Sequence, residues 1–264
     1  MIDPRAHLRE LLALAGRVLA LHKARRRPAE PDAAEKLTAE AQLARVLRGY
    51  FARLQRRAVA RLQARPPQQH AAKVAYVDDE FDADFFDDRD FLADLLKLLT
   101  AATRLGVLSL PDLLGLDLNL TATNKEAEQA AREYAYSLVK DLTETARQTL
   151  QDVISEFVAT PGMTLGDVID RLPFSEQRAA LIATTEITRA YATGQAAAGA
   201  ALKEQYPDVR VVKTWWTNND DRVCPICGPL NGQEVDEGDL FDSEFDGPPA
   251  HPGCRCWVSY RTRI

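Results

Sequence analysis

The chain is poor in several features that would identify its class of protein directly. Of its 264 residues only four are cysteine and four are histidine, and all the cysteines lie within the last 41 residues. No apolar run approaches the roughly 18 residues that a transmembrane helix needs. The apolar stretches near the N-terminus are interrupted by charged residues, which is untypical of a signal peptide. We therefore expect a protein without membrane spans that is assembled inside the cell rather than secreted.

A large excess of charge of either sign is also missing. Lys and Arg number 33 and Asp and Glu 39, so the net charge is −6, which excludes a uniformly basic nucleic-acid coat. The charge is nevertheless uneven: residues 1–70 hold 15 basic and 6 acidic side chains, and residues 78–94 hold nine acidic and one basic. Such regions contact different partners, contact each other, or form two solvated helix faces of opposite sign.

Most of the chain up to residue 205 has helical periodicity. Between Ala41 and Gln63, apolar residues recur at three- and four-residue steps with arginines between them, which predicts an amphipathic helix with an arginine-rich polar side. Further helices are predicted over 91–105, 126–158 and 176–205, with a connector over 111–124. We divide the chain into a basic helical region, a helical body and a C-terminal domain, over residues 1–70, 71–158 and 159–264.

After Pro207 the sequence becomes β-branched and aromatic. Residues 209–217, VRVVKTWWT, predict a strand, with short partner strands over 233–235 and 256–260. The expected fold class is α+β and mainly α-helical. A helical N-terminal region precedes a small C-terminal domain that contains helices, a short β-sheet and the cysteine-rich segment from Cys224 to Cys256, which we call the Cys/His knot.

The spacing within the Cys/His knot is typical of metal binding. Cys224 and Cys227 form a C-x2-C pair, and His251, Cys254 and Cys256 follow after 23 intervening residues. Zinc prefers four tetrahedral nitrogen or sulfur ligands, usually supplied as two short-spaced pairs. Cys224 with Cys227 and His251 with Cys254 would form these two pairs, and Cys256 is a fifth candidate ligand. Two disulfides, or reduced thiols in a packed loop, are the competing interpretations.

The same segment gives little indication of catalysis. Five candidate ligands fill the coordination shell of a zinc ion, so no position remains for a reactive water. A cysteine nucleophile would need His251 as its base, and no residue in the sequence obviously orients that histidine. Residues 218–246 contain nine acidic side chains and one arginine, which disfavours a zinc ribbon that grips nucleic acid. We therefore expect a protein that is not an enzyme.

Several blocks of the C-terminal half resemble one known family. The helix LIATTEITRAYATGQ is followed in order by KTWWT, DDRVCPIC, LNGQEV and PPAHPGCRC. Together these blocks, over roughly residues 152–257, resemble the Mu F-like domain of tailed-phage minor head proteins. The residues that match the family's pattern outside the Cys/His knot are Thr185, Glu186, Arg189, Trp215 and Asp221.

The resemblance implies a low-copy virion component that acts in head morphogenesis near the portal vertex and is released with the DNA or retained. It implies the portal or major capsid protein as partner. The arginine-rich helix predicted above is compatible with this role, since Arg45, Arg48, Arg53, Arg56 and Arg57 could contact packaged DNA or the portal. The implied location is the virion, with assembly in the host cytoplasm. A zinc-containing enzyme or toxin-related domain is the alternative function.

Overall fold

Helices make up most of the described chain. A computed structural model describes residues 27–67, 73–114, 119–218, 220–242 and 244–263, so the predicted basic region before residue 27 lies outside the described residues. Within these ranges the helices are α1 Ala33–Ala64, α2 Lys73–Glu80, α3 Ala83–Phe86, α4 Arg89–Leu114, α5 Thr121–Ala159, α6 Leu165–Asp170 and α7 Glu176–Gln205. The strands are β1 Arg210–Trp216, β2 Glu234–Asp236 and β3 Trp257–Arg263. The predicted α+β, mainly helical class is confirmed.

The prediction of a connector over residues 111–124 is wrong for most of that range. Helix α4 continues through Pro111 to Leu114, and α5 begins at Thr121. Proline removes one helical hydrogen bond, which predicts a break. Val107 and Leu110 on the preceding turn are completely buried, and their packing keeps this stretch helical. None of the described helices is both long enough and apolar enough to span a bilayer.

Two hydrophobic clusters lie at the two ends of α4 and α7. The first contains apolar residues of all the helices, such as Leu47 of α1 and Leu150 of α5. The second surrounds the sheet and includes Trp215 together with Cys227 and Cys254. Helices α4 and α7 contribute residues to both clusters. Helix α5 does so too, with Ala127 in the second cluster and Leu138 in the first, so three continuous helices attach the C-terminal sheet to the helical body.

The sheet has three antiparallel strands in the order β2-β1-β3. Lys213 of β1 pairs with Val235 of β2 and with Tyr260 of β3, so β1 is the central strand. Trp215 is completely buried, and its ring lies 5.2 Å from that of Phe241 in an edge-to-face arrangement. Aromatic pairs of this geometry stabilise a core beyond their buried area.

The basic and acidic regions contact each other, which is one of the interpretations that the sequence left open. Arg53 Nη2 lies 2.7 Å from Asp88 Oδ2, and Arg65 Nη1 lies 2.7 Å from Glu80 Oε1. The guanidinium of Arg57 lies over the ring of Phe85, 5.2 Å from its centroid. Part of the arginine-rich side of α1 therefore packs against residues 80–88 inside the same chain.

Candidate metal centre

The first pair of cysteines lies in the turn between β1 and a short 3-10 helix, Gly228–Leu230. The backbone N–H of Cys227 donates to Cys224 Sγ at 3.3 Å, which fixes the relative position of the two sulfur atoms. Cys227 is 2% exposed, whereas Cys224 is half-buried. Both sulfur atoms of the pair therefore lie on one turn, as the two thiolate ligands of a metal ion would.

The second group of candidate ligands lies in the turn before β3. The backbone N–H of Cys254 donates to the carbonyl of His251 at 3.1 Å. Gly253 between them has φ of +75°, and a Cβ there would lie 2.7 Å from Leu181 Cδ1. Glycine adopts this left-handed conformation without a steric penalty. The turn consequently brings His251 and Cys254 to the same side as the first pair.

The structure brings all five predicted ligands together. Cys224 Sγ lies 3.1 Å from His251 Nε2, and Cys227 Sγ lies 3.8 Å from Cys254 Sγ. Two overlapping groups form, in each of which the ligand atoms lie within 4.8 Å of one another: Cys224, Cys227 and His251, and Cys227, Cys254 and Cys256. Two sulfurs on one tetrahedral zinc ion, each about 2.3 Å from the metal, are about 3.8 Å apart. The separation of Cys227 and Cys254 therefore fits two sulfur ligands of one zinc ion.

The imidazole of His251 is oriented by its own turn. Its Nδ1 lies 2.8 Å from the carbonyl oxygen of Pro252. A carbonyl only accepts hydrogen bonds, so Nδ1 carries the proton and Nε2 presents a lone pair to Cys224. Metal-bound histidines commonly have this arrangement, in which the second nitrogen donates to an oxygen. Sequence reasoning missed this orienting contact because a backbone carbonyl has no residue-type signature.

A small cavity lies among these side chains. Its volume is about 20 Å³, and Cys224, Cys227, His251 and Cys256 contribute to its walls together with Arg255. A cavity of this size holds about one water-sized species. The space and the polar donors thus match a single ion.

The pKa values of the three buried thiols differ strongly. A hydrogen bond from Cys256 lowers the pKa of Cys254 to about 5, despite burial. Burial raises the pKa of Cys227 to about 12, and the hydrogen bond to Cys254 raises the pKa of Cys256 far above its usual value. Negative charge in the metal-free site therefore concentrates on Cys254. Zinc binding would displace the remaining protons, because only deprotonated thiols are ligands. The four cysteines are all free thiols.

An ion pair connects the two halves of the Cys/His knot. Arg255 Nη1 lies 2.8 Å from Asp220 Oδ2, and Asp220 Oδ1 also accepts the backbone N–H of Arg222 at 3.1 Å. The hydrogen bond from Arg255 lowers the pKa of Asp220. Asp221, which matches the family's D-x-x-C pattern, is exposed and makes no described contact of this kind. The sequence alone does not show which of the two adjacent aspartates pairs with Arg255.

Thr185 of α7 attaches the motif helix to the turn that holds the ligands. Its hydroxyl donates to the carbonyl of Leu181 at 2.7 Å and accepts the backbone N–H of Gly253 at 2.8 Å. Gly253 lies between the candidate ligands His251 and Cys254. The threonine therefore positions the second half of the site.

We predict that Thr185→Val destabilises the protein by about 1–3 kcal/mol, because the buried N–H of Gly253 loses its acceptor. Denaturant unfolding followed by tryptophan fluorescence measures the change. Thr193→Val on the same helix is the matched control, since Thr193 is exposed and makes no described hydrogen bond. Equal free energies of unfolding for the two variants would contradict the positioning role.

Glu186 and Arg189 anchor α7 to α5 instead of to the Cys/His knot. Glu186 is 6% exposed, and its Oε2 accepts the hydroxyl of Tyr134 at 2.7 Å. Arg189 Nε lies 3.4 Å from the same carboxylate, and its guanidinium lies 5.6 Å from the centre of the Tyr134 ring. Burial raises the pKa of Glu186. Sequence reasoning missed Tyr134, because nothing at position 134 marks it as a partner of residue 186.

The five arginines that the charge pattern of the sequence predicts as DNA or portal contacts fall into two groups. Arg53 pairs with Asp88 and Arg57 packs over Phe85, as described above. Arg45, Arg48 and Arg56 are exposed and make no described ion pair. Steps of three and eight residues place these three on one side of α1. They form an outward stripe that is available to a partner.

Comparison with known proteins bears on the C-terminal part of the chain. The family described as Phage Mu protein F like protein matches residues 142–259, which include Thr185, Trp215 and the whole Cys/His knot. No curated protein and no solved structure matches the chain. The matched range begins within α5 and ends within β3. The resemblance that the motif blocks predict is therefore confirmed: residues 142–259 carry the Mu F-like region.

Proposed function

We propose that this protein is a minor capsid protein of a tailed phage, present in few copies at or near the portal vertex, which acts in head assembly or in DNA packaging and delivery. The observation that supports the proposal is the match of residues 142–259 to the Mu F-like family. The motif blocks of that region converge in one structure: Thr185 contacts the turn that holds His251 and Cys254. The proposed partners are the portal or major capsid protein.

The proposed role of the Cys/His knot is to bind one structural zinc ion. Cys224, Cys227 and His251 supply three ligands, and Cys254 or Cys256 the fourth. When bound, the metal would stabilise the Cys/His knot, whose structure otherwise depends on turns and short strands. Four of these side chains are wholly or partly buried around a one-ion cavity, which leaves little room for a substrate at the metal.

We propose a role without enzymatic activity. One observation nevertheless favours the alternative, a zinc-containing enzyme or toxin-related domain. His251 Nε2 lies 3.1 Å from Cys224 Sγ, and the Pro252 carbonyl orients the ring. A nucleophile, a base and an orienting group in this order resemble a catalytic triad. Hydrolytic or transferase activity of the purified protein that His251→Ala abolishes would favour the enzyme.

The decisive experiment is assembly of phage particles without the protein. Under the proposal such heads are defective in DNA content or infectivity, and cryo-EM of complete particles shows density for the chain at the portal vertex. Particles that are equivalent with and without the protein would contradict the proposed role.

The outward arginine stripe is proposed to contact packaged DNA. We predict that replacing Arg45, Arg48 and Arg56 by alanine weakens binding to duplex DNA, and lowers the slope of log affinity against log salt by about 0.9 for each phosphate that is no longer neutralised. Fluorescence anisotropy at several salt concentrations measures both. The matched control replaces Arg89, Arg104 and Arg132, exposed arginines on α4 and α5, by alanine. An affinity that does not vary with salt would exclude DNA and leave an acidic protein surface as the partner.

A further inference from the structure

We propose that the Cys/His knot, when it holds no metal and meets a low-molecular-weight disulfide, closes a disulfide bond between Cys227 and Cys254. The pairing rests on the positions of the thiols. Only its consequence for a particle outside the cell rests on the proposed function. Phage particles leave the reducing cytosol for surroundings in which disulfides persist.

The two sulfurs are already close and are held in rigid turns. Cys227 Sγ and Cys254 Sγ lie 3.8 Å apart, and the two residues are 2% and 1% exposed. Cys227 begins the 3-10 helix, and the turn of Cys254 is fixed by the contact between Thr185 and Gly253. A disulfide requires the two sulfurs to approach to roughly 2.05 Å, and here they start that approach from van der Waals contact.

Two of the competing pairs are less favourable. Cys224 Sγ accepts the N–H of Cys227 and contacts His251 Nε2, and a bond between Cys224 and Cys227 would disrupt that turn, so this bond forms only as a transient intermediate. Cys254 and Cys256 are separated by a single residue, so a bond between them closes a small ring that departs from usual disulfide geometry. Cys227 is also the residue that both groups of candidate ligands share.

The oxidant enters through Cys224, which is half-buried while the other three thiols are buried. The Cys224 thiolate attacks a disulfide RSSR, forms a mixed disulfide with one R group and releases one thiolate RS⁻. The Cys227 thiol then attacks the Cys224 sulfur, giving up its proton to the second RS⁻ as that group leaves. Finally the Cys254 thiolate attacks the Cys227 sulfur and restores the Cys224 thiolate. Two protein thiols are oxidised, and one RSSR is reduced to two thiols.

Cys227 and Cys254 can therefore close the Cys/His knot in two ways, as ligands of one zinc ion or as a disulfide bond. The two cysteines are 27 positions apart, so the bond would join the same segments that the metal joins. Both constraints restrict the unfolded chain. A particle that loses zinc outside the host would therefore retain a closed knot.

The experiment uses the full chain, freed of metal by a chelator under reducing conditions and then exposed to oxidised glutathione. Peptide mapping by mass spectrometry identifies the bonded pairs. The expected main product joins Cys227 to Cys254, and the same pair is expected in Cys256→Ser. Cys224→Ser forms the same bond about tenfold more slowly, because it lacks the accessible thiol. An unchanged rate for Cys224→Ser would refute the entry route.

A second measurement starts from the zinc-loaded chain and keeps the test decisive if the metal-free knot unfolds. Oxidised glutathione should release one zinc for each Cys227–Cys254 bond that forms. A statistical mixture of pairs, a bond between Cys224 and Cys227 or between Cys254 and Cys256 as the main product, or no bond at all would overturn the proposal. If the purified chain carries no zinc, the proposed metal role fails and the pairing is still decided by the first experiment.

Discussion

Replacing Cys227 by serine is expected to abolish stoichiometric zinc binding and to unfold the C-terminal sheet, while the helical body keeps its own transition. Cys227 is 2% exposed and belongs to both groups of candidate ligands. Zinc contributes an apparent binding free energy of about 10–16 kcal/mol to small structural sites, and this energy is folding energy. The loss of a shared ligand therefore has a larger effect than the loss of an ordinary buried side chain.

Two optical signals separate the two parts of the molecule. All three tryptophans, Trp215, Trp216 and Trp257, lie in the sheet, so their fluorescence reports on the C-terminal part. Far-UV circular dichroism reports mainly on the helices. In Cys227→Ser the fluorescence transition should move to lower temperature than the dichroism transition, and elemental analysis should find no zinc.

Ile226→Ser provides the matched control for the zinc prediction. Ile226 lies between the two cysteines and is 47% exposed, so its replacement should change stability by no more than about 0.5 kcal/mol. Wild-type protein that contains no metal, and whose four thiols all react in the native state, would contradict the zinc prediction.

Gly194→Ala is expected to destabilise the protein by about 3 kcal/mol. Helices α4 and α7 cross at Gly106 and Gly194 with their backbones in contact. A Cβ at Gly194 would lie 2.8 Å from Val107 N and closer still to Thr103 O. Backbone atoms cannot move aside as a flexible side chain does, so the two helices must separate. Because both helices belong to both hydrophobic clusters, their separation disturbs each core.

Gly49→Ala is the control for this prediction, since Gly49 also lies inside a helix. Its added Cβ would have as nearest neighbour Arg53 Nη1 at 3.6 Å, an ordinary contact. Alanine favours helix over glycine by about 0.8–1 kcal/mol, so Gly49→Ala should stabilise the protein slightly. Denaturant unfolding of both variants gives the comparison. Equal effects would show that helix propensity, and not the helix crossing, governs Gly194.

The sequence by itself determined the features that depend on residues close together in the chain. Helix periodicity predicted α1 and α7, and the hydroxyl of Ser175 caps α7 locally by accepting the N–H of Arg178 at 3.2 Å. The alternation of β-branched and aromatic residues predicted β1. The spacing of cysteines and His251 predicted that five donors share one site, and the order of the motif blocks predicted the Mu F-like region. These signals span a few residues, or consist of residue types that are rare in the chain.

Only the tertiary structure decided which distant residues meet. It paired Glu186 with Tyr134, chose Asp220 over Asp221 as the partner of Arg255, and placed Arg53 against Asp88. It also carried α4 through Pro111, because buried apolar neighbours outweighed the missing hydrogen bond. Each of these pairings joins residues 35 or more positions apart. Local propensity contains no information about such contacts, since their energies arise only when the helices and the sheet have packed together.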